Sequence, residues 1–316
     1  NSGAGHTSGK LLYDPDQHKV VVFYTGTSYA SDNMEYSVLE TIQASGSTQG
    51  NISTRLSDRQ KVESEIKSYP SGFEWGDVSY DTQNNKYLWI GRDMNDNHVY
   101  AKTGAYNTSN NTITWEQTGR SNCSQPIGSG NNGRAPRLHF DETTNRIVAL
   151  VRDDSNSDRP TVIIGSYNTS SNTIDWGTKQ QLDTGGVSDQ DTVICKAGNG
   201  TGQVFVGYKE SNSLKGNLIT VSNSSNTCTI QTAAVIQTQA DIFRVAYNVE
   251  DQNIIFAFKD DSDSSKGKIA RLTINSGSTG FDKSALLQFC INPNDSAHDV
   301  MYSISAKQVF CTFRPS

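Results

Sequence analysis

The ten residues Tyr106–Trp115, YNTSNNTITW, return as Tyr167–Trp176, YNTSSNTIDW, with eight of ten positions identical. A second pair of matching blocks lies upstream, beginning at Tyr80-Asp81 in one copy and at Phe140-Asp141 in the other. The offsets are 61 and 60 residues, so both matches share one register. Two matches in one register indicate an internal repeat, which is the sequence signature of a repeat architecture.

The upstream block recurs along the chain, with its first aromatic or apolar residue at positions 13, 80, 140, 195, 247 and 302. Within one copy, four short runs rich in aromatic and β-branched residues alternate with turns rich in Asn, Asp, Ser and Thr. Short strands at such spacing predict an all-β β-propeller of about six blades (range five to seven), with four-stranded antiparallel blades and an incomplete last blade. We expect one domain over residues 1–316, with repeats at about 9–75, 76–133, 134–188, 189–240, 241–296 and, in part, 297–316.

Two local features need a separate interpretation. The aromatic-Asp pairs, such as Tyr13-Asp14, could be catalytic carboxylates, but their recurrence at the same turn favours an Asp side chain that accepts hydrogen bonds from backbone N–H groups. The segment Ser57–Ser68, in an unusually long first repeat, is the best helix candidate.

Composition and charge exclude several classes of function. The net charge is −6 and the basic residues are scattered, which argues against a nucleic-acid-binding face. No apolar run approaches the roughly 20 residues of a membrane helix. Charged residues reach only 19%, and apolar residues recur regularly, so the chain is not disordered.

The five cysteines show no Cys-x-x-Cys spacing that would indicate a zinc or thioredoxin-type site. Two pairs are close enough in sequence to lie within one repeat, Cys195–Cys228 and Cys290–Cys311. Each pair is either a disulfide or two buried thiols. Eight glycosylation sequons also occur, at Asn51, Asn107, Asn110, Asn122, Asn168, Asn199, Asn223 and Asn294.

The predicted loops between the second and third strands of a repeat are acidic. Their carboxylates either form solvated turns or bind Ca²⁺ weakly, since Ca²⁺ takes six to eight oxygen ligands. The candidates are Asp93, Asp96, Asp153, Asp154, Asp158, Asp260, Asp261 and Asp263. We predict no other cofactor. The five histidines show no metal-ligand spacing, and Trp89, Trp115 and Trp176 are expected to pack between blades.

The last repeat supplies two strands, and we expect its edge, with Val309, Phe310 and Phe313, to be covered. One prediction is that another copy of the chain or an assembly protein covers this edge by β-augmentation. The alternatives are a short closing blade or pairing with the N-terminal segment.

The aromatic-Asp block, followed by strands such as Thr161–Tyr167 and Thr173–Trp176, resembles repeats of large structural and tail-associated proteins of marine bacteriophages and of other marine extracellular proteins. The resemblance covers roughly residues 11–313. It implies a propeller in an appendage or surface setting and implies no catalytic residues. The hairpins that end at Trp115 and Trp176 also lie where sialidases carry Asp boxes, but they lack the Asp and Gly of that motif.

No unrepeated acid–base constellation is visible in the sequence. We therefore expect a non-enzymatic structural or adhesive module of an extracellular assembly, on a virion tail or a cell surface. The alternatives are a glycan-binding lectin, whose partners would be surface glycans, and a propeller glycoside hydrolase or lyase. The enzyme would need unrepeated carboxylates that converge on the central channel.

Overall fold

The computed structural model describes residues 9–25, 34–43, 50–57, 60–62, 76–93, 95–128, 130–198, 200, 202–275, 280–290, 293–303 and 306–315. Across these ranges the chain forms antiparallel sheets joined by turns and short 3-10 segments. The prediction of an all-β propeller with four-stranded antiparallel blades is confirmed. No helix within these ranges is long and apolar enough to cross a membrane.

The first three sheets follow one another along the chain. Blade 1 consists of β1 (Gly9–Asp14), β2 (Lys19–Thr25), β3 (Met34–Gln43), β4 (Gly50–Arg55) and β5 (Gln60–Lys61). Blade 2 consists of β6 (Gly76–Asp81), β7 (Lys86–Arg92), β8 (Val99–Asn107) and β9 (Thr112–Trp115). Blade 3 consists of β10 (Gly133–Asp141), β11 (Arg146–Asp153), β12 (Arg159–Asn168), β13 (Thr173–Trp176) and β14 (Gln180–Gln181).

Three further sheets complete the described chain. Blade 4 consists of β15 (Val187–Lys196), β16 (Gln203–Glu210), β17 (Ser213–Val221), β18 (Cys228–Ile230) and β19 (Ala234–Thr238). Blade 5 consists of β20 (Ala240–Asn248), β21 (Asn253–Asp260), β22 (Lys266–Ile274), β23 (Phe281–Lys283) and β24 (Leu287–Cys290). Blade 6 consists of β25 (Pro293–Ser303) and β26 (Gln308–Pro315).

The repeated turn between the first two strands of a blade depends on one acidic or amide side chain. Asp14, Asp81 and Asn248 each accept hydrogen bonds from the backbone N–H groups two and three residues ahead, at 2.9–3.2 Å. In blade 3, Asp141 accepts the N–H of Thr144. The interpretation of the aromatic-Asp pairs as turn devices is therefore confirmed.

A residue with left-handed backbone geometry closes each of these turns just before the second strand. The residues with φ between 51° and 65° at this place are His18, Asn85, Asn145, Gly202, Gln252 and Lys307. Asn and Gly tolerate this geometry best, which explains their frequency in the repeated turns.

Neighbouring blades pack face to face through separate apolar clusters. For example, Trp89 and Tyr87 of blade 2 pack with Tyr36 of blade 1, whereas Leu88 and Ile90, on the other face of the same strand, pack against blade 3. Further clusters join blades 3 and 4, 4 and 5, and 5 and 6. Trp115 and Trp176 also pack against these clusters, so the predicted packing role of the three tryptophans is confirmed.

Two predictions about this part of the molecule are wrong. The helix candidate Ser57–Ser68 includes β5, whose residues Gln60 and Lys61 pair with β3, and residues 63–68 lie outside the described ranges.

Cys195 and Cys228 are free thiols rather than a disulfide. They lie on β15 and β18, at opposite edges of one sheet, with two strands between them. Strands are about 4.8 Å apart, so this separation exceeds the reach of a disulfide.

The pair Cys290–Cys311 stays a prediction, because the side chain of Cys290 lies outside the described residues. Coverage of the last edge by a partner also stays a prediction. Among the described residues, blade 6 pairs β25 with β26 only, and the side chains of Val309 and Phe310 are 37% and 44% exposed. The side chain of Phe313 is not among those described.

Glycine is required where the third strand of a blade passes under the tryptophan of the fourth. A Cβ added at Gly165 would lie 2.7 Å from Cε3 of Trp176 and 2.9 Å from Cγ2 of Ile174.

We expect Gly165→Ala to lower the free energy of unfolding by about 1–3 kcal/mol, because overpacking displaces a well-packed ring. Denaturant unfolding measures the change. Gly280→Ala is the matched control, since a Cβ added there would lie 3.6 Å from Nδ2 of Asn275, an ordinary contact distance. Equal loss of stability in both variants would contradict the explanation.

Candidate functional site

The first strand of each blade lies innermost, next to the propeller axis. The innermost strands β1, β6, β10, β15, β20 and β25 are neighbours in that order. They run in the same direction, because every blade begins with its innermost strand. Their first residues therefore lie at one end of the central channel, together with the loops between the second and third strands. Ligands commonly bind at the open end of closed β structures, such as the mouth of a β-barrel or one face of a TIM barrel.

The innermost strands of blades 3 to 6 are irregular near this end of the channel. In β10, two residues, Ala135 and Pro136, lie opposite one residue of β11. In β20, Ile242 is an extra residue. The irregularities are larger in β15, where residues 188–191 lie opposite Lys209, and in β25, where residues 294–297 lie opposite one residue. The innermost strands of blades 1 and 2 pair without a shift.

Bulges redirect side chains and are frequent next to active sites. The bulge of β10 is fixed to blade 4 by two hydrogen bonds. Thr192 Oγ1 donates to the carbonyl of Ala135 at 2.8 Å, and Arg137 Nε donates to the carbonyl of Thr192 at 2.9 Å. Ala135 has φ +45°, an unusual value for a residue with a side chain. Hydrogen bonds to blade 4 therefore hold the backbone of β10 in a defined conformation at this end of the channel.

Asp77, on β6, is the buried carboxylate that joins three innermost strands. Lys10 Nζ of β1 lies 2.6 Å from its Oδ1, which also accepts the N–H of Val78 at 2.8 Å. Its Oδ2 accepts the N–H of Leu138, on β10, at 2.9 Å. Three donors, one of them cationic, hold the carboxylate in place. The side chain is only 7% exposed.

His139, on β10, is buried close to this carboxylate. Its Nε2 is inaccessible to solvent and has no hydrogen-bond partner among the described residues. Burial lowers the pKa of His139 to about 4, and although the nearby Asp141 carboxylate opposes the shift, the Lys10 and Lys196 ammonium groups add to it. His139 is therefore neutral at physiological pH.

Several acidic residues lie on the innermost strands near the channel mouth. Asp77 has a lysine, Lys10, as its neighbour on the preceding innermost strand. The bulged segment of β15 carries Asp189 and Asp191 in sequence, although their side chains are not described. Asp241, at the start of β20, pairs with Lys209 at 2.7 Å. Sequence analysis missed these residues, because Asp77, Asp189 and Asp241 are 52–164 residues apart from one another, and Asp189 lies in an irregular part of β15. The only local signal was the polar run Ser188–Asp191 ahead of an apolar strand.

The acidic loops that were calcium candidates lie at the same end of the blades, farther from the axis. Their carboxylates accept backbone N–H groups or pair with basic side chains. The partners are Arg120 for Asp93 and Asp96, Lys179 for Asp153, Arg134 and Arg152 for Asp154, Arg152 for Asp158, the N–H of Ser262 for Asp260, Lys259 for Asp261, and Lys266 and Lys268 for Asp263. Among the described residues, no group of three or more His, Cys, Asp and Glu side chains is arranged to hold a metal ion.

The sequons lie on turns and strand ends where the structure describes them. Asn110, Asn122 and Asn223 are exposed, and Asn107 and Asn168 are half-buried and accept hydrogen bonds from the N–H groups of their own hairpins. Asn199 and the side chains of Asn51 and Asn294 are outside the described set. Use of these sequons stays a prediction.

Comparisons with known proteins give the fold but no family. No family model matches the sequence, and no curated protein matches it. Solved structures are similar in shape at low identity. An α-L-arabinofuranosidase from Fusarium graminearum is 7% identical, with a TM-score of 0.56 over 98% of this chain and 88% of that one. A protein from Lactobacillus plantarum is 12% identical, with a TM-score of 0.58 over 94% and 75%. A putative 6-phosphogluconolactonase from Bacteroides uniformis is 9% identical, with a TM-score of 0.54 over 96% and 87%.

These neighbours correct the functional expectation. The interpretation as a non-enzymatic structural or adhesive module is wrong, because the arabinofuranosidase that spans nearly the whole chain is a glycoside-cleaving propeller. Two innermost strands also carry carboxylates near this end of the channel, Asp77 on β6 and Asp241 on β20, which no motif in the sequence indicates.

The buried histidine makes stability depend on pH. The pKa of His139 is about 4 in the folded protein and about 6.5 in the unfolded chain. Below pH 6.5 the unfolded chain therefore binds a proton that the folded protein does not, and stability falls as the pH drops towards 4. We expect this loss to reach up to about 3 kcal/mol. In His139→Gln, which does not titrate, this part of the slope should disappear from denaturant unfolding measured between pH 7 and 4. Parallel pH profiles for the two proteins would contradict the assignment.

Proposed function

We propose that the protein is a glycoside hydrolase whose active site lies at the bulged end of the propeller channel. The observation that carries the proposal is the position of acidic residues from different blades on innermost strands at this end of the channel. Asp77 is fixed by Lys10 and two backbone N–H groups, and the bulge of β15 carries Asp189 and Asp191 in sequence. The shape shared with an arabinofuranosidase supports the same class of reaction.

Glycoside hydrolysis needs two carboxyl groups on either side of the scissile bond and passes through a transition state with positive charge on the sugar ring. Asp77 suits the role of an ionised carboxylate that stabilises this charge, because its three donors hold it in place as an anion. The second carboxyl group, which protonates the leaving oxygen, would come from the bulge of β15 or from Asp241. Since Asp241 already pairs with Lys209, we favour Asp189 or Asp191.

Basic side chains complete the proposed site. Arg137 lies on the innermost strand β10 and Arg244 on β20, with β15 between them, and Arg244 donates to the carbonyl of Phe243 at 2.8 Å. Guanidinium groups can donate several hydrogen bonds in a fixed geometry, which suits recognition of sugar hydroxyl groups. This reaction requires no resident metal. One carboxyl group transfers the proton, and the other stabilises the positive charge on the sugar ring.

We also propose that the enzyme acts outside the cell, at a virion or cell surface. The support is the resemblance of the repeats to those of marine bacteriophage and marine extracellular proteins, together with sequons on exposed turns. Glycosides are abundant at such surfaces, so the setting agrees with the proposed reaction.

Substitution of the channel carboxylates tests the proposal. We expect the wild-type protein to hydrolyse at least one member of a panel of aryl glycosides that includes an α-L-arabinofuranoside. Asp77→Asn should lower kcat/KM by about 10²-fold or more, since it removes a preorganised charge from the transition state. Asp189→Asn and Asp191→Asn, measured separately, identify the partner carboxyl group by a loss of about 10²–10⁴-fold.

Asp263→Asn is the matched control. Asp263 lies on the acidic rim, where it pairs with Lys266 and Lys268, and it should leave the rate unchanged. Circular dichroism and thermal melting confirm that each variant is folded. A folded wild-type protein that cleaves no substrate of a broad glycoside and polysaccharide panel contradicts the reaction class. Activity retained in all the channel variants contradicts the location of the site.

A further inference from the structure

A second feature with the properties of a ligand site lies on the rim of the propeller, between blades 3 and 4. It is a cavity of about 450 Å³. Its lining comes from the segment that leads from blade 3 to blade 4 and from the outer strands of blade 4. The lining residues are Gln181, Leu182, Asp183, Thr184, Lys215, Thr232, Ala233 and Val235. The volume falls in the range of about 300–1,000 Å³ that is usual for small-molecule sites.

The charged groups of the cavity are held in place by one another. Lys215 Nζ lies 2.9 Å from Asp183 Oδ2 and also forms an ion pair with Glu210. The hydroxyl of Tyr208 lies 3.2 Å from Asp183 Oδ2 and 2.9 Å from Asn217 Oδ1, and either oxygen can accept its proton. Asp183 Oδ1 accepts the N–H of Thr184 at 2.7 Å. Although burial by itself raises the pKa of Asp183, the hydrogen bonds from Lys215 and Thr184 outweigh burial and hold the pKa below its usual value.

The surroundings of these charges are partly apolar and accessible. Val235 is 56% exposed, and Leu182 and Ala233 also line the cavity. Thr184 and Thr232 are exposed and place hydroxyl groups at its edge. The cavity therefore combines an apolar wall, hydroxyl groups and a rigid set of charged donors and acceptors.

The charges of Asp183, Glu210 and Lys215 indicate which kind of ligand the cavity can bind. Two carboxylates and one ammonium group leave one negative charge, which disfavours an anion. Lys215 occupies the place between the carboxylates that a cation would need. A neutral ligand with many hydroxyl groups suits the cavity best, because hydroxyls donate to carboxylates and accept from an ammonium group, while C–H faces pack on Val235.

We propose that this cavity, named here the blade 3–4 rim site, binds a neutral sugar residue of a polysaccharide. The site lies on a different part of the propeller from the channel carboxylates. The inference concerns binding and not turnover, and it does not depend on the proposed hydrolysis.

Affinity electrophoresis in gels that contain neutral polysaccharides (arabinan, galactan or arabinogalactan) tests the proposal, with polygalacturonate as an acidic comparison. We expect at least one neutral polysaccharide to retard the wild-type protein. Thr232→Trp should weaken the retardation by at least about tenfold, because an indole at the edge fills the cavity. Thr229→Trp is the matched control, since Thr229 is exposed on β18 of the same blade and does not line the cavity.

Lys215→Met is a second variant that removes the cation while keeping most of the side-chain length. It should also weaken binding by at least about tenfold. Since it leaves two carboxylates without their partner and can impair folding, the conclusion depends on Thr232→Trp, which changes only an exposed position. Asp77→Asn should keep the retardation of the wild type, which separates the rim site from the channel.

Two results would overturn the proposal. One is retardation of Thr232→Trp equal to that of Thr229→Trp in every neutral polysaccharide. The other is a wild-type protein that is retarded by polygalacturonate only, or by none of these polymers. Hydrolysis at the channel site is measured separately with soluble aryl glycosides. A lack of hydrolysis would therefore not be mistaken for a lack of binding at the rim site.

Discussion

The whole structure depends on the packing of each blade against its neighbours. A four-stranded antiparallel sheet of this size exposes two faces, and here both faces are apolar along the second strand. Residues 87 and 89 face blade 1, and residues 88 and 90 face blade 3. Such a sheet cannot bury both faces alone, so stability requires a neighbour on each side. The polar turns and the Asp side chains that close them keep each sheet narrow enough to be placed radially. Blade packing therefore determines where every other group in the molecule lies.

Much of this arrangement was predictable from local sequence, because each of its parts is local. A β-branched run such as Val20–Val22 predicts a strand, and an Asp followed by Asn or Gln predicts the turn that the structure contains. The disulfide prediction failed for the same reason. Cys195 and Cys228 are close in sequence, but sequence distance does not give the order of strands in a sheet, and two strands separate them.

The candidate site was not predictable, because it depends on contacts between repeats. Lys10 and Asp77 are 67 residues apart, and only the parallel alignment of neighbouring innermost strands places their charges 2.6 Å apart. The bulges were equally hidden. A bulge breaks the alternation of apolar and polar residues, so the segment Ser188–Asp191 looks like a loop in the sequence but is part of an innermost strand in the structure.

Charge is distributed differently at the rim and at the axis, and this difference bears on function. On the rim, acidic loops are matched by Arg and Lys from the same or the adjacent blade, as in Lys266 with Asp263. Exposed pairs of this kind contribute little to stability, but they neutralise an acidic surface that would otherwise repel itself. Near the axis, Asp77 is buried and held by three donors, an arrangement that costs desolvation energy. The irregular strands lie in blades 3 to 6, while the regular innermost strands of blades 1 and 2 supply Lys10 and Asp77. The departures from the repeat thus meet at one end of the channel, where a propeller can place chemistry without disturbing the packing that holds its blades together.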